Sequence, residues 1–337
     1  MSRWLALDVG GAHLKAADGL GFAASQYFPL WQKPDALAGA LAALIAQSPP
    51  ADRLAVTMTG ELADCFATKA EGVAAILAAT ENAAGGRKIC VYLVDGSYVA
   101  PHQALEQPLL AAASNWRALA QFAARYAPEG SGLLIDIGST TCDLIPLVDG
   151  RPCATGHTDP ERLAAGELVY TGVTRSPVCA VASALPWRGK QVPTAQELFA
   201  TTWDAYLTMG ELPEEPDSRH TADGRPATKQ AARDRLARSI CADRQMFDDA
   251  DALAAATAIA RAQSARLALA AQGVVRRLPS APETIIVSGQ GEFLARQLLQ
   301  RMRLQARVVS LNDELGADLS RAAPAHALAA LAREAYP

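Results

Sequence analysis

The chain has 337 residues, is 50% apolar and 20% charged, and carries a net charge of −4 from 31 Lys plus Arg against 35 Asp plus Glu. That composition supplies a large buried core and excludes wholesale disorder; the length suits about two domains or one large α/β unit. With no basic run in the chain, the electrostatic footprint of a nucleic-acid binder is missing, and duplex binding is excluded.

In chain order, the apolar run Trp4-Leu5-Ala6-Leu7 predicts a strand that stops at Asp8-Val9-Gly10-Gly11 and resumes through His13-Leu14-Lys15, a strand, tight turn and strand. A helix follows over 35–47, stopped by Pro49-Pro50, then a strand over 54–59 closed by Gly60 and a helix over 68–83. A strand over 89–94 ends at Asp95-Gly96, and 116–126 reads as helix. The opening theme then returns. Gly132-Leu133-Leu134-Ile135 leads into Asp136-Ile137-Gly138-Ser139-Thr140-Thr141-Cys142-Asp143, and 144–148 resumes the strand before the hairpin dipeptide Asp149-Gly150. Asp136 follows Asp8 by 128 positions, which predicts two related α/β lobes, one over 1–125 and one over 126–337.

From 191 to about 245 the chain changes in kind, with Pro193, Pro213, Pro216 and Pro226 and a charged cluster over 211–223, and reads as a largely helical insertion placed to act as a lid. Beyond it come a long Ala-rich helix over 248–272, a strand over 284–287 ending at Ser288-Gly289-Gln290-Gly291, a helix over 292–304, a strand over 308–311 and a last helix over 324–334. The carboxylate at Asp8 comes too early for a signal peptide's apolar stretch, and no Ala-rich segment is an apolar run of membrane-spanning length, so a cytoplasmic protein is expected. Six scattered Cys, without a C-x-x-C pair or His at ligand spacing, argue against a disulfide framework and a zinc site.

Chemistry concentrates at the turns. Gly10, Gly11, Gly138, Ser139, Thr140 and Thr141 offer backbone N–H groups at strand ends, an arrangement that cradles phosphate oxygens. Each turn is led by a carboxylate, and Asp8 and Asp136 suit Mg²⁺, which takes one or two carboxylates plus substrate oxygens and water. Either Asp-x-Gly alone is ordinary hairpin chemistry; two copies together with Gly289, Gln290 and Gly291 at a third strand end point to a phosphate site. Neither a Walker A motif nor a dinucleotide fingerprint is present.

The three glycine turns resemble the actin-like ATPase and sugar kinase superfamily, which implies an α/β protein whose two ribonuclease-H-like lobes close on a phosphorylated ligand. Within it, Thr57-Met58-Thr59-Gly60-Glu61-Leu62-Ala63-Asp64, the segment Ala165-Gly166-Glu167-Leu168-Val169-Tyr170-Thr171-Gly172-Val173-Thr174-Arg175, Thr221-Ala222-Asp223-Gly224-Arg225-Pro226-Ala227-Thr228 and Ser288-Gly289-Gln290-Gly291-Glu292-Phe293-Leu294 are similar to the hydantoinase/oxoprolinase-related proteins of tetrahydromethanopterin-linked one-carbon transfer. That family includes methanofuran-forming synthases of archaea. The resemblance implies a transferase that joins an aminomethyl-furan methyl diphosphate to the phenol oxygen of a γ-glutamyl-tyramine or tyrosine-like acceptor, releasing diphosphate. Its partners are these small molecules, its metal Mg²⁺; ATP binding is left open though not required by the reaction, and a homo-oligomer is left open. Lys15 and Arg175 are the candidate cations for the diphosphate, and Glu61, Glu167 and Asp143 the candidate bases, among which sequence does not choose. His13 stands where it can touch phosphate, although a solvated turn histidine is the commoner case. Cys142 reads as packing, and Lys229, Arg233 and Arg244 as a solvated helix face or as lid contacts to an anionic tail. Two other readings remain: an ATP-dependent kinase or amide hydrolase, and a non-catalytic nucleotide-binding module.

Overall fold

Fourteen strands build the frame of the computed structural model, which describes residues 3–336. In the first lobe these are β1 (Trp4–Val9), β2 (His13–Ala17), β3 (Ala23–Tyr27), β4 (Arg53–Met58), β5 (Lys88–Tyr92) and β6 (Tyr98–Val99). The second lobe contributes β7 (Ser131–Ile137), β8 (Cys142–Val148), β9 (Arg151–Pro152), β10 (Leu168–Val169), β11 (Ala184–Trp187), β12 (Lys190–Pro193), β13 (Thr284–Ser288) and β14 (Arg307–Ser310). The first sheet runs β3-β2-β1-β4-β5-β6, antiparallel among its first three strands and parallel from β1 to β5. The second runs β10-β8-β7-β13-β14 with the same pattern of directions around β7. Both are ribonuclease-H-like sheets. Their central strands are buried throughout or nearly so because helices cover both faces.

The duplication holds to the residue. Asp8 faces Lys15 across β1 and β2, and Asp136 faces Asp143 across β7 and β8, each residue of the second pair 128 positions after its counterpart. The Gly10 N–H donates to the His13 carbonyl at 3.0 Å, and the Gly138 N–H to the Thr141 carbonyl at 2.9 Å. The two loops are therefore the same turn made twice.

The division at residue 125 separates the strands but not the helices. The helix Asn115–Ala123 packs Trp116, Leu119 and Phe122 against Leu134, Ile145 and Ile286 of the second sheet. The last helix, Ala323–Ala335, returns to bury Leu328, Ala329 and Ala332 against Trp4, Ala6 and Ala55 of the first. These two helices also pack on one another, so the lobes are joined by an exchange of elements and not by a linker alone.

The insertion begins earlier than expected. The hairpin of β11 and β12 and the helices Thr202–Met209 and Lys229–Arg238 pack on the N-terminal half of the long helix Asp249–Val275, with Val178, Leu185, Ala205, Leu236, Phe247 and Ile259 in their core. That hairpin turns on Arg188 and Gly189, both with positive φ; a mirror-image two-residue turn usually advertises itself as Asn-Gly or Asp-Gly, and this one does not. Inside the insertion the fully buried Arg235 pairs with Asp204 at 2.7 Å and Asp223 at 3.0 Å, which fixes the loop between its helices.

Because Leu328 is fully buried against the first sheet, Leu328→Ala should cost roughly 2–5 kcal/mol. The urea midpoint should fall accordingly; an unchanged midpoint would mean that the first lobe closes without the returning helix.

Candidate active site between the lobes

The two turns open on a common cavity of about 230 Å³, lined by Gly10 and Gly11 from one lobe, Gly138, Ser139 and Thr140 from the other, and by Gly289 and Gln290. Their carbonyls are tied back into the lobes behind them. Leu30 and Phe28 donate to the Gly11 and Ala12 oxygens, Val173 to Gly138, and Thr174 and Arg175 to Ser139, all at 2.9–3.1 Å. Since the Gly10 and Gly138 N–H groups close their own turns, those of the two turns left for an anion among the described residues are of Gly11, Ala12, Ser139, Thr140 and Thr141. N–H groups presented without carbonyls make an anion-binding concavity.

The carboxylates stand on the floor of this cavity. Asp8 is buried, its Oδ1 has no hydrogen-bond partner, and its Oδ2 lies 3.8 Å from the Lys15 ammonium. Burial raises the Asp8 carboxyl above its ordinary range, with Lys15 opposing. Asp136 is pushed up to about 6, first by burial and then by Asp143, with Asp8 adding to the rise and Lys15 opposing it. Asp143 is also raised by burial but is ion-paired to Arg162, itself buried with its guanidinium 4.1 Å from the centre of the Trp116 ring. Thus Asp8 and Asp136 share one ammonium and leave room for a cation. Among the described residues no three His, Cys, Asp or Glu converge on one metal position, so a divalent ion here would need substrate oxygens and water to complete its shell, the habit of Mg²⁺.

A second, larger space adjoins the first. This cleft of about 1640 Å³ is walled by Tyr27, Phe28 and Trp31 of the first lobe, by Trp203 and by the insertion loop at Arg219 and His220. His220 stacks on Tyr27 with ring centroids 3.6 Å apart, which pins the insertion to the opposite lobe. Cavity and cleft meet at a neck that includes His13, Ser139, Arg175 and Gln290. Arg175 is held there by its own N–H on Ser139 and by its guanidinium 4.8 Å from the centre of the Trp31 ring.

The hydantoinase/oxoprolinase family profile matches residues 52–334, which include β4 and β5 of the first lobe, the second lobe's strands and the insertion, and leave out β1 and the first turn. The chain belongs to the hydantoinase/oxoprolinase family. It is 32% identical over 97% of its length, and 96% of the relative's, to a Methanocaldococcus jannaschii enzyme described as the synthase of a furan methanamine bearing a gamma-L-glutamylaminoethyl-phenoxymethyl group. A Methanococcus vannielii protein of the same description is 27% identical over 59% of this chain and 89% of its own. Among solved structures it is similar to an inorganic polyphosphate/ATP glucomannokinase from Arthrobacter sp. strain KM, at 18% identity and TM-score 0.46 over 100% of both chains. It is also similar to an ATP-dependent acetone carboxylase, at 12% identity and TM-score 0.48 over 94% of this chain and 51% of that one.

Two of the family-like segments support the turns. Gly172 lies so close to the second turn that a Cβ there would meet the Ser139 carbonyl carbon and the Thr140 nitrogen at 2.4 Å. Its carbonyl is held by Thr202 and Gln263 at 2.8 Å, and Gln263 is held in turn by Thr171 and Tyr206. In the first lobe Thr59 and Gly60 donate to the Val9 carbonyl.

Several expected site residues lie elsewhere. Glu167 is fully buried and lines neither space, accepting from the Thr155 and Gly156 N–H groups and from Arg277 at 2.8–3.1 Å. Glu61 is buried beside Lys69, which bridges it to Asp159 of the second lobe. Gly291 donates its N–H to Ile137 and packs against that side chain, so it is spent as a phosphate ligand. Arg233 and Arg244 pair with Asp249 and Asp234 inside the insertion. Conversely, Tyr27, Trp31, His220 and Arg321 line the site without having been singled out in the sequence. The one available signal was the run Tyr27-Phe28-Pro29-Leu30-Trp31, dense in aromatics for a chain with 6% of them.

Asp136 gives a pH prediction. The folded protein keeps its proton to about pH 6 whereas an unfolded Asp loses it near pH 4. The folded state therefore binds more protons in that window, and stability falls as pH rises through it. Asp136→Asn should melt higher than the wild type at pH 7.5, with the gap narrowing as pH falls below about 6 and closing below about pH 4; a lower melting temperature at pH 7.5 would contradict this.

Proposed function

We propose that the protein is an aryl-ether-forming transferase of methanofuran or methylofuran biosynthesis, condensing an aminomethyl-furan methyl diphosphate with the phenol oxygen of a γ-glutamyl-tyramine or tyrosine-like acceptor and releasing diphosphate. The observation that carries this reading is the joining of a small cavity rich in N–H groups to a large aromatic cleft through one neck. The cavity suits a compact polyanion and is too small for the organic parts, whereas the cleft exceeds the usual volume of a drug-sized ligand's pocket and has room for two rings and a tail. The M. jannaschii relative, covered almost end to end, is named for a product with those parts.

The chemistry asked of the residues is modest. The furfuryl carbon loses diphosphate readily because the furan ring oxygen shares the positive charge, so stabilising the leaving group is the main demand. In the proposed complex, the N–H groups of Gly11, Ala12, Ser139 and Thr140 hold the diphosphate oxygens, with Lys15 and Arg175 as cations. When bound, Mg²⁺ held by Asp8 and Asp136 would neutralise further charge on the departing group. Tyr27 and Trp31 wall the cleft that would take the furan, the one backed by His220 and the other by Arg175. Lys33 and Arg219 on the cleft wall suit an anionic tail, and the exposed Asp35 and Glu215 an ammonium.

Purified protein given the furan diphosphate, γ-glutamyl-tyramine and Mg²⁺ without nucleotide should yield ether and diphosphate in equal amounts. Acceptor-dependent hydrolysis of ATP with no ether would contradict the reading and favour a kinase or amide hydrolase. Arg175→Ala should lower kcat/KM for the diphosphate about 10–100-fold, the loss of a charged hydrogen bond; an unchanged value would remove Arg175 from the site.

A further inference from the structure

The proposed transfer needs a place for the phenol proton, and the cavity carboxylates are poorly placed to take it. Asp8, Asp136, Asp143 and Asp159 line the small cavity and not the cleft, so the diphosphate would stand between them and an acceptor arriving through the cleft, and Asp159 is paired with Lys69. Asp143 is also committed to Arg162. Glu61 and Glu167 line neither space. Glu292, on the cleft wall, accepts from the Ser310 hydroxyl at 2.6 Å and the Asn312 N–H at 3.0 Å, while Asp35 and Glu215 are exposed.

His13 is different. Of the side chains that line both cavity and cleft, its imidazole alone offers an unprotonated basic nitrogen, the rest being hydroxyl, amide or guanidinium. It opens β2 immediately after the first turn, and its carbonyl receives the Gly10 N–H, so the ring's position is set by the turn itself. Tyr27 stands edge-on to it with ring centroids 5.6 Å apart. The charged or titratable groups facing it are Lys15 from its own strand, Tyr27 from β3, Arg175 from the second lobe and His220 from the insertion. Burial first, then Lys15, Arg175 and His220, hold the imidazole down at about 4, so it is neutral at physiological pH. An arriving polyanion offsets those cations and increases the ring's appetite for a proton.

Resting on the transfer reaction proposed above, we propose that His13 is the catalytic base for the acceptor, placed at the neck where the leaving group and the phenol meet. The carbon–oxygen bond to diphosphate breaks with its electron pair going to diphosphate, and a lone pair of the phenol oxygen forms the new bond to the furfuryl carbon. The phenol proton passes to the unprotonated ring nitrogen of His13 and from there to the released diphosphate. No other reactant is needed.

The test compares γ-glutamyl-tyramine with its ring-fluorinated analogue, whose phenol is more acidic, as acceptors for the wild type and His13→Gln at saturating furan diphosphate and Mg²⁺. General base catalysis contributes about 10²–10⁴-fold, so ether formation from γ-glutamyl-tyramine should fall at least ~100-fold, with a markedly smaller loss for the fluorinated acceptor. Inhibition by diphosphate should be unchanged, which reports that the cavity is intact. His13→Ala should be partly rescued by added imidazole. Wild-type ether formation with an undiminished rate in His13→Gln, an equal loss with both phenols, or no imidazole rescue of His13→Ala overturns the assignment to His13 alone. Absence of ether from the wild type with either acceptor overturns it through failure of the transfer reaction itself.

Discussion

Two carboxylates placed at equivalent points of a duplicated fold share a single ammonium. Asp8 and Asp136 end the first strand of their respective lobes, and only in the first does the facing strand supply a lysine; in the second the equivalent position is Asp143, which needs Arg162 for itself. An uncompensated buried carboxylate is costly, and the protein meets that cost by raising the affinity of Asp136 for a proton. The proposed metal and diphosphate would meet the same deficit. Electrostatics and the orientation of the turns point the same way, since the carbonyls are tied behind and the N–H groups remain in front.

Keeping the two turns face to face requires rigid lobes held in a fixed relation. The exchanged helices Asn115–Ala123 and Ala323–Ala335 supply the joint, and the Lys69 bridge to Asp159 and the stack of His220 on Tyr27 add contacts on either side of it. The buried chain from Tyr206 through Gln263 and Thr171 to Gly172 ties the second turn to the insertion and to the long helix at once. The insertion thereby packs directly behind the wall of the small cavity.

Much of this frame was legible in the sequence because it rests on local chemistry. Asp-x-Gly at a strand end specifies a turn whatever surrounds it, and the recurrence after 128 positions specified two lobes. What the sequence left open is tertiary. The apolar stripe of residues 323–335 says that one face is buried, not that it crosses back to the first sheet. Glu61 and Glu167 look like catalysts because they stand in family-like segments, yet whether a carboxylate is free depends on N–H groups and cations brought by other elements, here Thr155, Gly156, Arg277 and Lys69. β3 carries only weak apolar character, so Tyr27 was not placed on a cleft wall, and its partner His220 belongs to a loop whose path is fixed by the buried Arg235 pairs.

The central claim is that the two turns together grip a diphosphate between the lobes. A crystal structure with diphosphate and Mg²⁺ tests it most directly. The account requires diphosphate oxygens within hydrogen-bonding distance of the N–H groups of Gly11 or Ala12 on one side and Ser139 or Thr140 on the other, with the metal reached by Asp8 or Asp136. Diphosphate bound to one lobe alone, or elsewhere in the cleft with the cavity between the turns left to water, would contradict it.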